Sequence, residues 1–137
     1  LFKCTFGYII DIRFIRTVYM DWNTKIINPQ DLINISRGDD KIIYKYLLQF
    51  QELIPQRIAS LKESLKAEDR KQARQLLHQM SPQIQFFGII DLVKPIQQLE
   101  LDYETMPLEE LKVLVETVII RLDLALNDVY LVLEENF

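Results

Sequence analysis

Apolar residues recur at intervals of three and four along most of this 137-residue chain, and from about residue 28 onward the pattern predicts helices. Within the stretch from Asp21 to Arg37, Asn28-Pro29 reads as a cap and first helical position leading into Leu32, Ile33 and Ile35, and Ser36-Arg37-Gly38 breaks the run. Asp39 is a good N-cap for a core helix in which Ile42, Ile43, Tyr46, Leu47, Phe50, Leu53 and Ile54 repeat. Pro55 interrupts the hydrogen-bond ladder, yet Ile58, Leu61 and Leu65 keep the period. A kinked long helix or two nearly continuous ones, ending near Ala67, is expected. Glu68-Asp69 then supplies carboxylates suited to the positive end of a third helix, which runs towards Gly88. Ile89, Ile90, Leu92, Val93, Ile96 and Leu99 form a fourth apolar stripe with a second kink expected at Pro95. Tyr103-Glu104-Thr105 is the turn before the longest helix, which starts around Pro107 and carries Leu111, Leu114, Val115, Val118, Leu122, Ala125, Val129 and Val132 to about Glu134.

Four amphipathic helices with short connections bury their stripes most simply as an all-α, antiparallel four-helix bundle. Residues 1–20 do not fit that period: Ile10, Ile12 and Phe14 alternate with Asp11 and Arg13 in a strand-like manner, with no second strand to pair. Residues 1–27 are therefore read as an N-terminal arm or linker, with a short helix as the alternative, and residues 28–137 as the helical domain. The length suits one domain, large enough to bury about two-thirds of its unfolded surface. An apolar share of 49% with only three glycines leans the same way, towards helix.

A net charge of −4 and the lack of a long basic run argue against a sequence-independent nucleic-acid binder, leaving a protein partner or a small local anion. The single Cys4 permits no internal disulfide, and one Cys with one His cannot assemble a zinc site. No uncharged run approaches the roughly 18 residues of a membrane span, and the start lacks signal-peptide order, so a cytoplasmic location is expected. The first residue, Leu1, points weakly to a piece of a longer protein, although Met20 offers another natural start.

The candidate chemistry centres on His78, the sole histidine. On a helical wheel Ala73, Leu76, Leu77, Met80, Ile84 and Phe87 form one stripe, and His78 lies roughly 140° round from Ala73. Its neighbours there are Lys71, Arg74, Gln75, Ser81, Pro82 and Gln85. A lone histidine cannot form a triad, and no nucleophile motif, phosphate loop or metal cluster accompanies it. The carboxylate pairs Asp39-Asp40, Glu109-Glu110 and Glu134-Glu135 sit at predicted helix ends, where capping explains them. On the residues alone, His78 is either an idle surface side chain or a nucleophile. An unperturbed imidazole, with a pKa of about 6.5, keeps a free lone pair at neutral pH and can accept a phosphoryl group. Lys71 and Arg74 suit the resulting charge, and Gln75, Gln79 and Gln85 suit its oxygens.

The span from Ile35 to Glu100 resembles a histidine-containing phosphotransfer (HPt) domain of two-component phosphorelays. The resemblance rests on Gly38-Asp39-Asp40 before the long helix, then Phe50, Pro55 and Leu61, and Ala67-Glu68-Asp69 before the helix of His78. Met80, Gly88 ten residues after the histidine, and Leu99-Glu100 about twenty-two after it complete the match. It implies that His78 accepts a phosphoryl group from the phospho-aspartate of one receiver domain and passes it to another, without ATP, cofactor or metal of its own. Mg²⁺ belongs to the response-regulator receiver. The resemblance further implies Glu100 as the carboxylate that holds the histidine ring, Phe86 and Gly88 as docking positions, a monomer, and a place either free-standing or within a hybrid sensor histidine kinase. Two positions depart from the family. Lys is usual three residues after the histidine and Gly four after it, whereas this chain has Ser81 and Pro82. Ser81 brings no charge, and Pro82 removes the N–H due to the His78 carbonyl, so a kink is expected there. The alternative to phosphotransfer is a non-catalytic helical bundle that docks receivers.

Overall fold

The computed structural model describes residues 24–137, so the proposed arm of residues 1–23 lies outside the described residues. The described chain is all-helical. Five α-helices follow one another: α1 (Gln30–Ser36), α2 (Asp40–Lys66), α3 (Arg70–Phe86), α4 (Val93–Asp102) and α5 (Leu108–Asn136), with a 3₁₀ turn at Ile90–Leu92. None of them is long and apolar enough to cross a membrane.

Local chemistry sets the helix ends much as the pattern predicts. Asp39 accepts from the Lys41 N–H, and Asp69 from the Gln72 N–H, so the first turns of α2 and α3 have side-chain caps. Arg37 and Gly38 both take positive φ, +55° and +73°, and the Gly38 N–H returns to the Ile33 carbonyl at 3.0 Å, closing α1. Pro29 is the cap of α1 and not its first helical residue, while Asn28 Oδ1 accepts the Gln30 N–H at 3.0 Å.

Of the two alternatives at Pro55, the single long helix is the one formed: α2 runs through it. Two other expectations are corrected. The fourth helix starts at Val93, because the chain first makes the 3₁₀ turn that leaves Ile90 73% exposed. Pro95 consequently falls in the first turn of α4, where no intrahelical partner for an N–H exists, so it requires no kink. Within α2, Ile42 faces outward and Tyr46 and Leu53 are only half-buried, so the buried stripe is narrower than the sequence suggests.

One continuous core joins the elements. α2 packs against both α3 and α5, α3 packs against α4, and α4 against α5. Ile43, Leu47, Phe50, Ile54, Ile58 and Leu61 of α2 meet Leu111 to Val132 of α5 and the stripe Ala73, Leu76, Leu77, Met80 and Ile84 of α3. The rings of Phe50 and Phe87 meet at a 4.4 Å centroid distance, tilted by 45°, tying the end of α3 to α2. Ile27, at the end of the predicted arm, is buried in this core, so the last residues before position 28 belong to the packed body.

Candidate functional site

α3 carries the site because its two faces divide cleanly. All six residues of the predicted stripe, Ala73 to Phe87, are buried, which turns the opposite face outward. His78 stands there with 66% of its side chain exposed. Its Nδ1 lies 2.9 Å from Oε1 of Glu100 on α4, whose side chain is 28% exposed. A carboxylate at Nδ1 favours the tautomer with the proton on that nitrogen and leaves the lone pair on Nε2. The arrangement is an exposed imidazole held at one nitrogen by a carboxylate.

The histidine is one rung of a ladder between α3 and α4. One turn earlier on α3, the Arg74 guanidinium lies 5.6 Å from the centroid of the Tyr103 ring, three residues beyond Glu100. One turn earlier again, Arg70 Nη1 donates to the Tyr103 carbonyl at 3.1 Å and to the Met106 carbonyl. Arg70, Arg74 and His78 therefore share a face at spacing four and meet the end of α4 and its following turn in reverse order. In the sequence Tyr103 reads only as part of the turn before the last helix. Its position three residues after Glu100, one helical turn on, is the signal that could have found it. Its hydroxyl bonds Glu104 at 2.9 Å, and this bond first, with partial desolvation and the Glu104 charge adding to it and Arg74 opposing, holds the phenol above its ordinary range.

The remaining predicted residues fall into two groups. Lys71, Gln75 and Gln85 are exposed on the same helix, and Pro82 is exposed one turn beyond His78. Ser81 is half-buried beside it. α3 continues through Pro82 to Phe86, so the proline does not end the helix, and it leaves the His78 carbonyl without the usual N–H. The two positions expected to dock a partner both make packing contacts within the protein. Phe86 is half-buried against the core with its ring 6.1 Å from that of Tyr46. Gly88 takes φ +62°, and a Cβ there would sit 2.7 Å from both Cβ and O of Asn28. The adjacent Asn28 N–H donates to the Phe87 carbonyl at 2.8 Å, which makes this a close backbone crossing.

Two polar contacts escaped the sequence reading. Arg57 of α2 donates to the Gln79 side chain at 2.7 Å, bracing α3 beside the histidine. Asp128, 5% exposed on α5, accepts the backbone N–H groups of Lys25, Ile26 and Ile27 on one oxygen, at 3.1, 2.7 and 3.0 Å. An acid within the arc of Ala125, Val129 and Val132 is the trace it leaves in the sequence. Among the described residues no group of three or more His, Cys, Asp or Glu side chains is placed to hold a metal ion.

Fold and site together define an all-helical protein presenting one carboxylate-held histidine. In comparisons with protein-family models, curated proteins and solved structures, nothing matches this chain.

Proposed function

We propose that this chain is a phosphorelay intermediate of the HPt type, with α2 to α5 forming its antiparallel four-helix bundle and His78 its phosphoacceptor. The observation that carries the reading is the contact between Nδ1 of His78 and Glu100 on an otherwise exposed ring. In the forward step the Nε2 lone pair attacks the phosphorus of a receiver's phospho-aspartate. The N–P bond forms, the P–O bond to the aspartate breaks, and the aspartate leaves as a carboxylate. The ring, still protonated at Nδ1, becomes an imidazolium whose charge Glu100 offsets. The second transfer reverses these bonds onto another receiver's aspartate. The divalent cation and acidic pocket come with the receiver, so the chain's own task is to orient one nitrogen.

The docking-only alternative draws on Ser81 and Pro82, which supply neither a cation nor a helical N–H beside the histidine. One experiment separates the two. The chain is incubated with receivers charged from acetyl phosphate in Mg²⁺, and acid-labile, base-stable label is followed. Label that disappears in His78→Gln supports phosphotransfer, and no label from any of several receivers overturns it. Receiver binding that persists in His78→Gln, without label in either protein, supports the docking module.

A further inference from the structure

The ladder between α3 and α4 contains a cation whose resting partner is a ring and not a carboxylate. The Arg74 guanidinium rests against the Tyr103 ring, and its Nε is buried with no hydrogen-bond partner. A buried donor without an acceptor is a standing cost, and a cation held by a ring is held more weakly than one paired with an anion. His78 lies four residues on, on the same face, and helical side chains lean towards the N-terminus of their helix. His78 and Arg74 thus stand one helical turn apart on a shared face, a spacing at which side chains are neighbours. A phosphoryl group on Nε2 brings about two negative charges and three acceptor oxygens to that turn.

We infer that Arg74 is a two-position clamp: it rests on Tyr103 while His78 is unmodified, and it leaves the ring for the phosphoryl oxygens once His78 is phosphorylated. In this chain Arg74 takes the place of the absent lysine after the histidine, since Ser81 carries no charge. The same movement releases Tyr103, which then keeps its bond to Glu104 but loses its cover. Arg70 continues to hold the Tyr103 and Met106 carbonyls, so the turn stays in place while one of its rings changes surroundings. The turn after α4 thus becomes a second surface, beyond the histidine itself, by which a partner distinguishes the phosphorylated from the unphosphorylated protein.

The inference rests on the phosphorelay reading only in requiring a phosphoryl group on His78, and the test supplies one without a receiver. Phosphoramidate transfers its phosphoryl group to an imidazole nitrogen: its N–P bond breaks, a new N–P bond forms to Nε2, and ammonia leaves. With a single histidine in the chain, the product is modified at His78 alone. The arginine Nε–H and tyrosine ring signals of the full chain are then recorded by NMR before and after loading. The Arg74 Nε–H is expected to move downfield, and the Tyr103 ring signals to shift to the positions they occupy in unmodified Arg74→Gln. Complete loading with both sets unchanged overturns the clamp. So does a Tyr103 shift of equal size when Arg74→Gln itself is phosphorylated. The wild-type Arg74 signal decides the matter even if that variant folds poorly. Failure of receivers to label His78 would overturn the relay and leave this outcome readable.

Discussion

Replacing Asp128 should loosen the whole N-terminal approach to the helical body, and its geometry allows the loss to be sized. One carboxylate oxygen accepts three successive backbone N–H groups at 2.7 to 3.1 Å in a site where the side chain is 5% exposed. A hydrogen bond to a charged group contributes about 1.5–3 kcal/mol, but three donors share one oxygen, so their contributions do not add. Loss of the shared acceptor leaves the buried Ile27 N–H unsatisfied, at a cost of about 1–3 kcal/mol. Release of the Ile27 side chain from the core would add about 1.5–3 kcal/mol. Asp128→Ala is therefore expected to cost about 3–5 kcal/mol. Asp128→Asn keeps a neutral acceptor and should cost roughly half as much. In urea, with a slope of about 2 kcal/mol per molar, the alanine variant's midpoint falls by about 1.5–2.5 M at little change in slope. Limited proteolysis should find a new cut near residues 24–28. An alanine variant within about 0.5 kcal/mol of the parent, the range of an ordinary surface change, would refute this role for Asp128.

Glu100→Ala should slow phosphotransfer to His78 by no more than about fivefold, because exposed ion pairs contribute about 0.2–1 kcal/mol and tenfold requires about 1.4. Initial rates with a charged receiver measure it, and a loss of a hundredfold would mean that Glu100 does more than hold the ring. Gly88→Ala combines a left-handed residue with a Cβ at 2.7 Å from Asn28, and a cost of about 2–4 kcal/mol should appear as a lowered melting temperature. Pro82→Ala restores the N–H owed to the His78 carbonyl and should stabilise the protein by about 1–3 kcal/mol in denaturant titration. The Tyr103 phenol should titrate above the ordinary tyrosine value, chiefly because it donates to Glu104. In Glu104→Gln the ring-carbon NMR titration should move back down towards that value.

Periodicity made the long helices legible because burial is what selects them. Every residue of the α3 stripe is buried, and Asp39 and Asp69 cap as their positions before the apolar runs suggest. The stretch from Gly88 to Pro95 departs from its pattern because its apolar residues satisfy a helical count while the backbone there follows a different demand. Gly88 must pass against Asn28, the chain leaves α3 with positive φ, and a 3₁₀ turn takes up the change of direction. Ile90 is the residue that this geometry strands in solvent. Pro95, suspected of kinking a helix, sits where a helix tolerates proline best.

The site divides along the same line between local and long-range information. That His78 faces outward follows from the spacing of its own helix, and that Glu100 meets it follows from two antiparallel helices whose separation in sequence is set by the intervening turn. Arg74 shows what the wheel leaves out. A wheel places it beside the histidine, but its present partner comes from the far end of α4, and that partner is an aromatic ring. Had a carboxylate stood at position 103, Arg74 would be neutralised and an arriving phosphoryl group would have to break a salt bridge. With tyrosine there, the arginine's charge has no anion beside it and one of its donors stays unspent, one turn before the histidine. The chemistry we propose for His78 thus depends on a residue of the neighbouring helix that touches neither the imidazole nor its carboxylate.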